Sequence, residues 1–269
     1  MAYRLRSPEE IQALGHAGDV LWRVLCRARE AAAPGVTTRQ IEALIRECCE
    51  AEGLSPSMPE VCHPQTGERF PGVCSISIND EAAHAPPGER VLAANDLVTI
   101  DLAASLDGWH ADAAVTTLCL GSRDLLDPAK SRLAQAAIEV TRAAVESMTP
   151  GGPWSDAVCA AREAADRLGV FILPGLGGHG IGRALHESPA ARFDAAPESG
   201  QNSGHNFRLV PGTVLTVEPV VTLTRDEMDE GDPDGWTLRT RSGGPAASEE
   251  RMVAMSPGGA RVLTGADAW

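Results

Sequence analysis

The stretch from Leu97 to Leu120, LVTIDLAASLDGWHADAAVTTLCL, constrains this chain more than any other. Two alternating, largely apolar runs flank Asp107-Gly108, and an Asp-Gly pair between such runs is a strong signal for a two-residue hairpin turn. With Asp107 and Gly108 as the loop, Leu106 faces Trp109, Ala103 faces Asp112, and Asp101 lies diagonally from Asp112. Side chains repeat every two residues along a strand, so both carboxylates project from the same sheet face. Diagonal neighbours lie within about 8 Å at the backbone, close enough for two carboxylates to converge on shared ions. Each acid sits in an apolar run, where an unpaired carboxylate is costly to bury. A metal ion, an arginine partner or plain exposure would each relieve that cost.

Other segments repeat the pattern. Thr213–Val221 places Glu218 inside an apolar run, and Glu249 precedes Met252-Val253-Ala254 near the end of the chain. A glutamate in a buried strand nearly always has a partner. His179 lies in the glycine-rich stretch Leu173–Gly182, and His186 follows beside Glu187. Gly175, Gly177 and Gly180 fit G-x-G-x-x-G, but a phosphate-cradling loop needs a βαβ unit opening a long helix, and Pro189 stops the chain too soon. The glycines are expected instead to let backbone approach an object held by His179. Four acids and one histidine in such settings are explained together by a single cation cluster. That oxygen-rich donor set suits Mn, Fe or Co, with Zn also compatible. Two such ions about 3.5–4 Å apart, bridged by water or hydroxide, activate that water and polarise a carbonyl, which is the chemistry of amide hydrolysis.

Around these residues the elements read as an α+β domain. Ser7-Pro8-Glu9-Glu10 opens a helical region over 8–52 that Pro34-Gly35 interrupts. Thr37 or Thr38 caps its second helix, and residues 53–73 read as loop. Strand character follows at 73–78, 97–102 and 113–120, helices at 127–148 and 155–168, and strands again at 214–224, 236–241 and 252–255. Without regular βαβ alternation or a convincing linker, the 269 residues are expected to form one domain, 1–269. The formal charge of −14 disfavours nucleic acid as a partner. No apolar run is long enough to span a membrane, and the charged start, MAYRLRSPEE, lacks a signal peptide's apolar core, so a cytoplasmic location is expected. The seven cysteines form no C-x-x-C pair and are expected to be reduced.

A resemblance enters here. Ser77-Ile78-Asn79 with His84, Thr99-Ile100-Asp101, Asp107–Asp112, Gly178–Gly182, Leu185-His186-Glu187, Thr216-Val217-Glu218-Pro219, Asp234–Thr237 and Glu249 resemble, in order, the motifs of type I methionine aminopeptidases. The resemblance covers residues 7 to 264. It implies a pita-bread fold with pseudo-twofold halves around a dinuclear centre of Co, Mn, Fe or Zn. The implied metal ligands are Asp101, Asp112, His179, Glu218 and Glu249. His84 and His186 match the family's two non-ligand histidines, which contact the substrate amide, and Glu218 matches its proton shuttle. Cys62, Phe70, Cys74, His84, Leu185 and Trp236 fall where the family binds the methionine residue. The implied partner is a peptide or nascent-protein N-terminus met by a monomer, with no role for nucleic acid or membrane.

The chain departs from the family at several places. Ala111-Asp112-Ala113-Ala114 stands where Gly-Asp-Thr is usual, His84-Ala85-Pro86-Pro87 replaces His-Gly-Ile-Pro, and Leu185 replaces a phenylalanine. Ala246–Arg251 replaces Ala-Gln-Tyr-Glu-His-Thr. These changes keep open a specialised dimetal hydrolase for another small amide or peptide, and a non-catalytic peptide-binding module.

Overall fold

The structure is a computed structural model that describes residues 4–121, 126–194 and 206–268. Helices α1 (Pro8–Ala31) and α2 (Thr38–Glu52) come first, followed by strands β1 (Ser55–Pro56), β2 (Ser75–Ile78), β3 (Glu81–Ala83), β4 (Leu97–Leu106) and β5 (Trp109–Leu118). Helices α3 (Pro128–Ser147) and α4 (Trp154–Leu168) precede β6 (Phe171–Ile172), β7 (Gly177–Gly180), β8 (Glu187–Arg192), β9 (Val214–Val217) and β10 (Val220–Thr222). The last strands are β11 (Met228–Asp229), β12 (Leu238–Thr240), β13 (Ala246–Ser248), β14 (Arg251–Ser256) and β15 (Gly259–Val262).

The helix starts follow from their caps. Ser7 Oγ accepts from the Glu10 N–H while the Glu10 carboxylate accepts from Ser7 N, a capping box with Pro8 in the first turn. Thr37, not Thr38, caps α2 by the same exchange with Gln40. Left-handed Gly53 and Gly169 end α2 and α4. The single lysine, Lys130, holds α3 against the loops that flank β4: its Nζ donates to Asn79 Oδ1 at 2.7 Å and to Asn95 O at 2.9 Å.

Two layers of helices cover two main sheets. Leu14, Leu21, Leu25 and Ile41 from α1 and α2 pack with Ile76, Ile100 and Leu102 of the sheet built on β4, where β1, β2 and β5 all pair. Val140, Trp154 and Val158 from α3 and α4 pack with Leu215, Val217 and Val253 of the other main sheet, ordered β15-β14-β9-β7-β8. Smaller sheets, β13-β10-β6 and β11-β12-β3, lie between and beside them. Helix pairs on the sheets, rather than alternating with parallel strands, give the α+β architecture expected from the sequence. The expected strand at 73–78 begins only at Ser75, and the glycine-rich loop at 173–182 contains strand β7.

Candidate metal centre

The hairpin forms as its sequence requires. Asp107 and Gly108 have φ of 51° and 71°, the left-handed pair that a two-residue turn of this kind needs. Leu106 pairs with Trp109, Ala103 with Asp112 and Asp101 with Ala114, so Asp101 and Asp112 share one face on diagonal positions. Across the sheet, Ser75 pairs with Asp101, and Ser77 pairs with Thr99, which pairs in turn with Thr116.

His179 comes from β7, between β8 and β9. A Cβ at Gly178 would fall on the Thr216 carbonyl and one at Gly180 on the Ser188 carbonyl, so these glycines let neighbouring strands approach. The close object is therefore backbone of the same sheet, a correction to the expectation that the glycines serve something held by His179. His179 N donates to Thr216 Oγ1 at 3.0 Å, and that hydroxyl donates to Glu218 Oε1 at 2.6 Å. His179 Nδ1 lies 3.0 Å from Gly180 O, which fixes the tautomer that leaves Nε2 free as a ligand nitrogen. Nε2 faces the acids, 3.6 Å from Asp112 Oδ2 and 3.9 Å from Glu218 Oε1.

The second glutamate is Glu250, not Glu249. Val217 pairs with Arg251 in one sheet and Val220 with Ser248 in the next, with matching antiparallel register that sets Glu218 opposite Glu250. The two carboxyls share a hydrogen bond. Oxygens of Asp112 and Glu250 and a nitrogen of His179 all lie within 4.8 Å of one another. Glu249 points the other way and ion-pairs with buried Arg251, whose guanidinium lies 3.9 Å above the Trp22 ring of α1. A one-residue slip in a strand reverses the face of every side chain, and that separates the two glutamates.

The electrostatics show what this cluster lacks. Burial, with Asp112 and Glu218 nearby, pushes Asp101 well above the usual carboxylate range. Burial and the neighbouring acids do the same to Glu250, and burial pushes Glu218 up to about 7. Burial pulls His179 down, but Asp112 and Glu218 outweigh it and push the imidazole up to about 9. Asp112 Oδ1 is buried with no hydrogen-bond partner among the described residues, and such an oxygen carries its full desolvation cost unless a cation meets it. Four carboxyl groups and one imidazole are the donor set of a hard or borderline divalent ion. The residues fit divalent metal.

These groups form one wall of a cavity of about 450 Å³. Met58, Phe70, Leu185 and Trp236 form an apolar part, with Phe70 and His63 edge-on to Trp236 at ring-centroid distances of 5.1 and 5.2 Å. Asp234 holds the backbone at Trp236 by accepting from its main-chain N–H at 2.7 Å. Cys62, His84 and His186 also line the cavity. His84 holds a left-handed backbone, φ 58°, just past β3. Burial lowers its imidazole, and burial with the charge of His179 pushes His186 down to about 4. His186 packs against His179 with ring centroids 4.4 Å apart. Cys74 does not reach the cavity: it is buried in the core beneath, and burial pushes its thiol up. No disulfide joins the cysteines of the described residues. Met58, His63 and Glu250 were missed from the sequence. For Glu250 a usable signal existed, because the tandem Glu249-Glu250 requires opposite faces and only one of the two continues the register of Glu218.

A carboxylate-rich centre with one imidazole, opening on a cavity with an apolar end, defines a metal-dependent hydrolase. The chain belongs to metallopeptidase family M24, whose model matches residues 12–262. It is 34% identical over 98% of its length to a methionine aminopeptidase of Aquifex aeolicus, covering 99% of that protein. It is 36% identical over 96% of its length to methionine aminopeptidase 1 of Mycobacterium tuberculosis, covering 94% of it. The methionine aminopeptidase structure from Thermotoga maritima superposes with a TM-score of 0.86 at 27% identity, over 98% of this chain and 99% of that one. The architecture is thus the pita-bread fold of this family.

Proposed function

We propose that this protein removes N-terminal methionine from peptides or nascent proteins, using two divalent ions held by Asp101, Asp112, His179, Glu218 and Glu250. The observation that carries this reading is the meeting of five such donors, from five separate strands or strand ends, on the wall of a cavity whose other end is apolar. Full-length similarity to proteins named methionine aminopeptidase supports the choice of substrate.

Bound there, the ions supply Lewis-acid polarisation of the amide carbonyl and lower the pKa of the attacking water. The protein's own groups do the rest. Met58, Phe70, Leu185 and Trp236 take up the unbranched thioether side chain, which adapts to an irregular apolar wall. Sulfur against the Phe70 and Trp236 ring edges adds a favourable contact. His84 and His186 stand beside the ligands and donate hydrogen bonds to the amide as charge develops on it, a contribution of about 3 kcal/mol for one well-placed donor. Glu218, held by the Thr216 hydroxyl, takes the proton of the attacking water and returns it to the departing amine.

Asp101, Asp112, His179, Glu218 and Glu250 thus form the ligand set, and Cys62 lies at the cavity wall without a role in the chemistry. The ions are drawn from Co, Mn, Fe and Zn, and the enzyme works in the cytoplasm as a one-domain monomer. The test is release of methionine from Met-Ala-Ser by protein reconstituted with each of these ions, beside a panel of peptides differing at the first residue. Turnover of Met-Ala-Ser above every other peptide is expected. Faster cleavage of a different first residue would overturn the assignment of substrate.

A further inference from the structure

The loop that carries Leu185 and His186 into the cavity is held from behind by the beginning of the chain. Glu187 Oε1 accepts from the backbone N–H groups of Arg183 at 2.9 Å and Ala184 at 3.1 Å. Its other oxygen pairs with the guanidinium of Arg6, a side chain only 1% exposed. The segment bearing Arg6 is fixed in turn, because Arg6 N donates to Gly212 O at 2.7 Å. Glycine makes this threading possible: a Cβ at Gly182 would fall inside the Arg6 guanidinium. On the outer side, Arg183 Nη1 donates to Asp107 O at 2.8 Å and its guanidinium lies 3.7 Å above the Trp109 ring. His110 N donates to Gly182 O at 2.8 Å. The loop is therefore clipped both to the N-terminal segment and to the turn of the hairpin that bears Asp101 and Asp112.

We propose that residues 4–7 act as a strap that sets where Leu185 and His186 stand in the cavity, with Arg6 and Glu187 as positioning residues. A guanidinium is a rigid planar fork, so an enclosed one fixes the orientation of the carboxylate it pairs with. That carboxylate fixes two backbone N–H groups of the loop, and the next residues toward the cavity are Leu185 and His186. Without the pair, the loop keeps its outer clips and loses its inner one. The metal ligands come from other strands, so the strap acts on the substrate side of the site and leaves the ion side alone.

The proposal rests on the aminopeptidase reading, and wild-type turnover separates the two: if wild-type protein releases no methionine, that reading fails. The strap is then judged by trypsin cleavage after Arg183, which needs no substrate. Arg6→Met is expected to lower kcat/KM for Met-Ala-Ser about tenfold, because small misplacements near reacting groups are costly. It should also shrink the preference for Met-Ala-Ser over Leu-Ala-Ser at least about threefold, since Leu185 moves with the loop. Cleavage after Arg183 should speed up about tenfold as the loop opens more often. Manganese affinity by calorimetry should stay within about twofold. Arg6→Lys, which keeps the charge but loses the planar fork, should recover only part of the activity and of the peptide preference. Glu187→Gln keeps the shape and carries the same test if Arg6→Met does not fold. An equal fall for both peptides with unchanged cleavage would mean only less folded enzyme and would overturn the strap. So would unchanged kinetics, or manganese affinity falling in step with turnover.

Discussion

Glu218 and Glu250 face each other where two antiparallel ladders of matching register meet, Val217–Arg251 ending one and Val220–Ser248 beginning the other, with a hydrogen bond between their carboxyls. Two buried carboxyls meet this way when they share a proton or a cation. The neighbouring Glu249 has neither need, because Arg251 neutralises it on the far side of the strand. Adjacent acids therefore have separate duties, one toward metal and one toward the fold.

Replacing them should separate those duties. Glu250→Ala is expected to lower manganese affinity at least about tenfold, as loss of a ligand group does, with little cost to folding. Glu249→Ala should keep manganese affinity within about threefold and lower stability by about 3 kcal/mol, because buried Arg251 loses its carboxylate counter-charge. Calorimetric titration and urea unfolding of both variants check this, and the reverse pattern would return the ligand role to Glu249.

Removing metal should make stability fall with rising pH. Asp101, Glu218 and Glu250 are held above their unfolded values, so the folded metal-free protein binds more protons than the unfolded chain between about pH 4 and 7. His179, raised from 6.5 to about 9, adds stability that is full below about pH 6.5 and is lost as pH climbs toward 9, in the same direction. A shift such as that of Glu218, from 4.5 to about 7, corresponds to about 3 kcal/mol. After chelation, Tm is expected to drop by several degrees between pH 5 and pH 8, and manganese should abolish the drop. A flat Tm profile in EDTA would show that the acids are relieved some other way.

His186→Ala should act on turnover and not on metal. The ring stands next to His179 at 4.4 Å without belonging to the ligand set. Loss of one donor to developing charge lowers kcat about 100-fold. Manganese affinity by calorimetry should change less than about threefold. Equal losses of both would make the ring a structural support for His179.

Thiol chemistry reads out the cavity wall. Cys62 is exposed there, whereas burial pushes Cys49 up to about 11 and holds Cys74 well above the ordinary thiol range. Iodoacetamide at pH 8 is expected to label Cys62 well before Cys49 or Cys74, and a bound peptide should slow that labelling. Peptide mapping by mass spectrometry follows each site.

How much of this was legible in the sequence depends on the reach of each signal. The Asp107-Gly108 turn specifies its own backbone and, through strict alternation, ten residue pairs of register, so the placement of Asp101 and Asp112 followed from one dipeptide. Ser7 and Thr37 announced their helices for the same local reason. The β15-β14-β9-β7-β8 order depends on pairings between distant segments, and no short pattern encodes it. Glu249 was misplaced because a family motif was matched by its letters, whereas the face of a strand is set by counting from a partner that sequence does not reveal. Cys74 failed similarly: its neighbour Ser75 takes the position opposite Asp101.

Strand β7 reads Gly177-Gly178-His179-Gly180 and so runs through the middle of a sheet with a single side chain on it. It is a bare rail carrying one functional group, hemmed in on both edges by other backbones. Nothing larger can be introduced along it, so no mutation within the rail can nudge that imidazole by degrees. Adjustment of the centre over evolutionary time therefore has to enter from outside the rail.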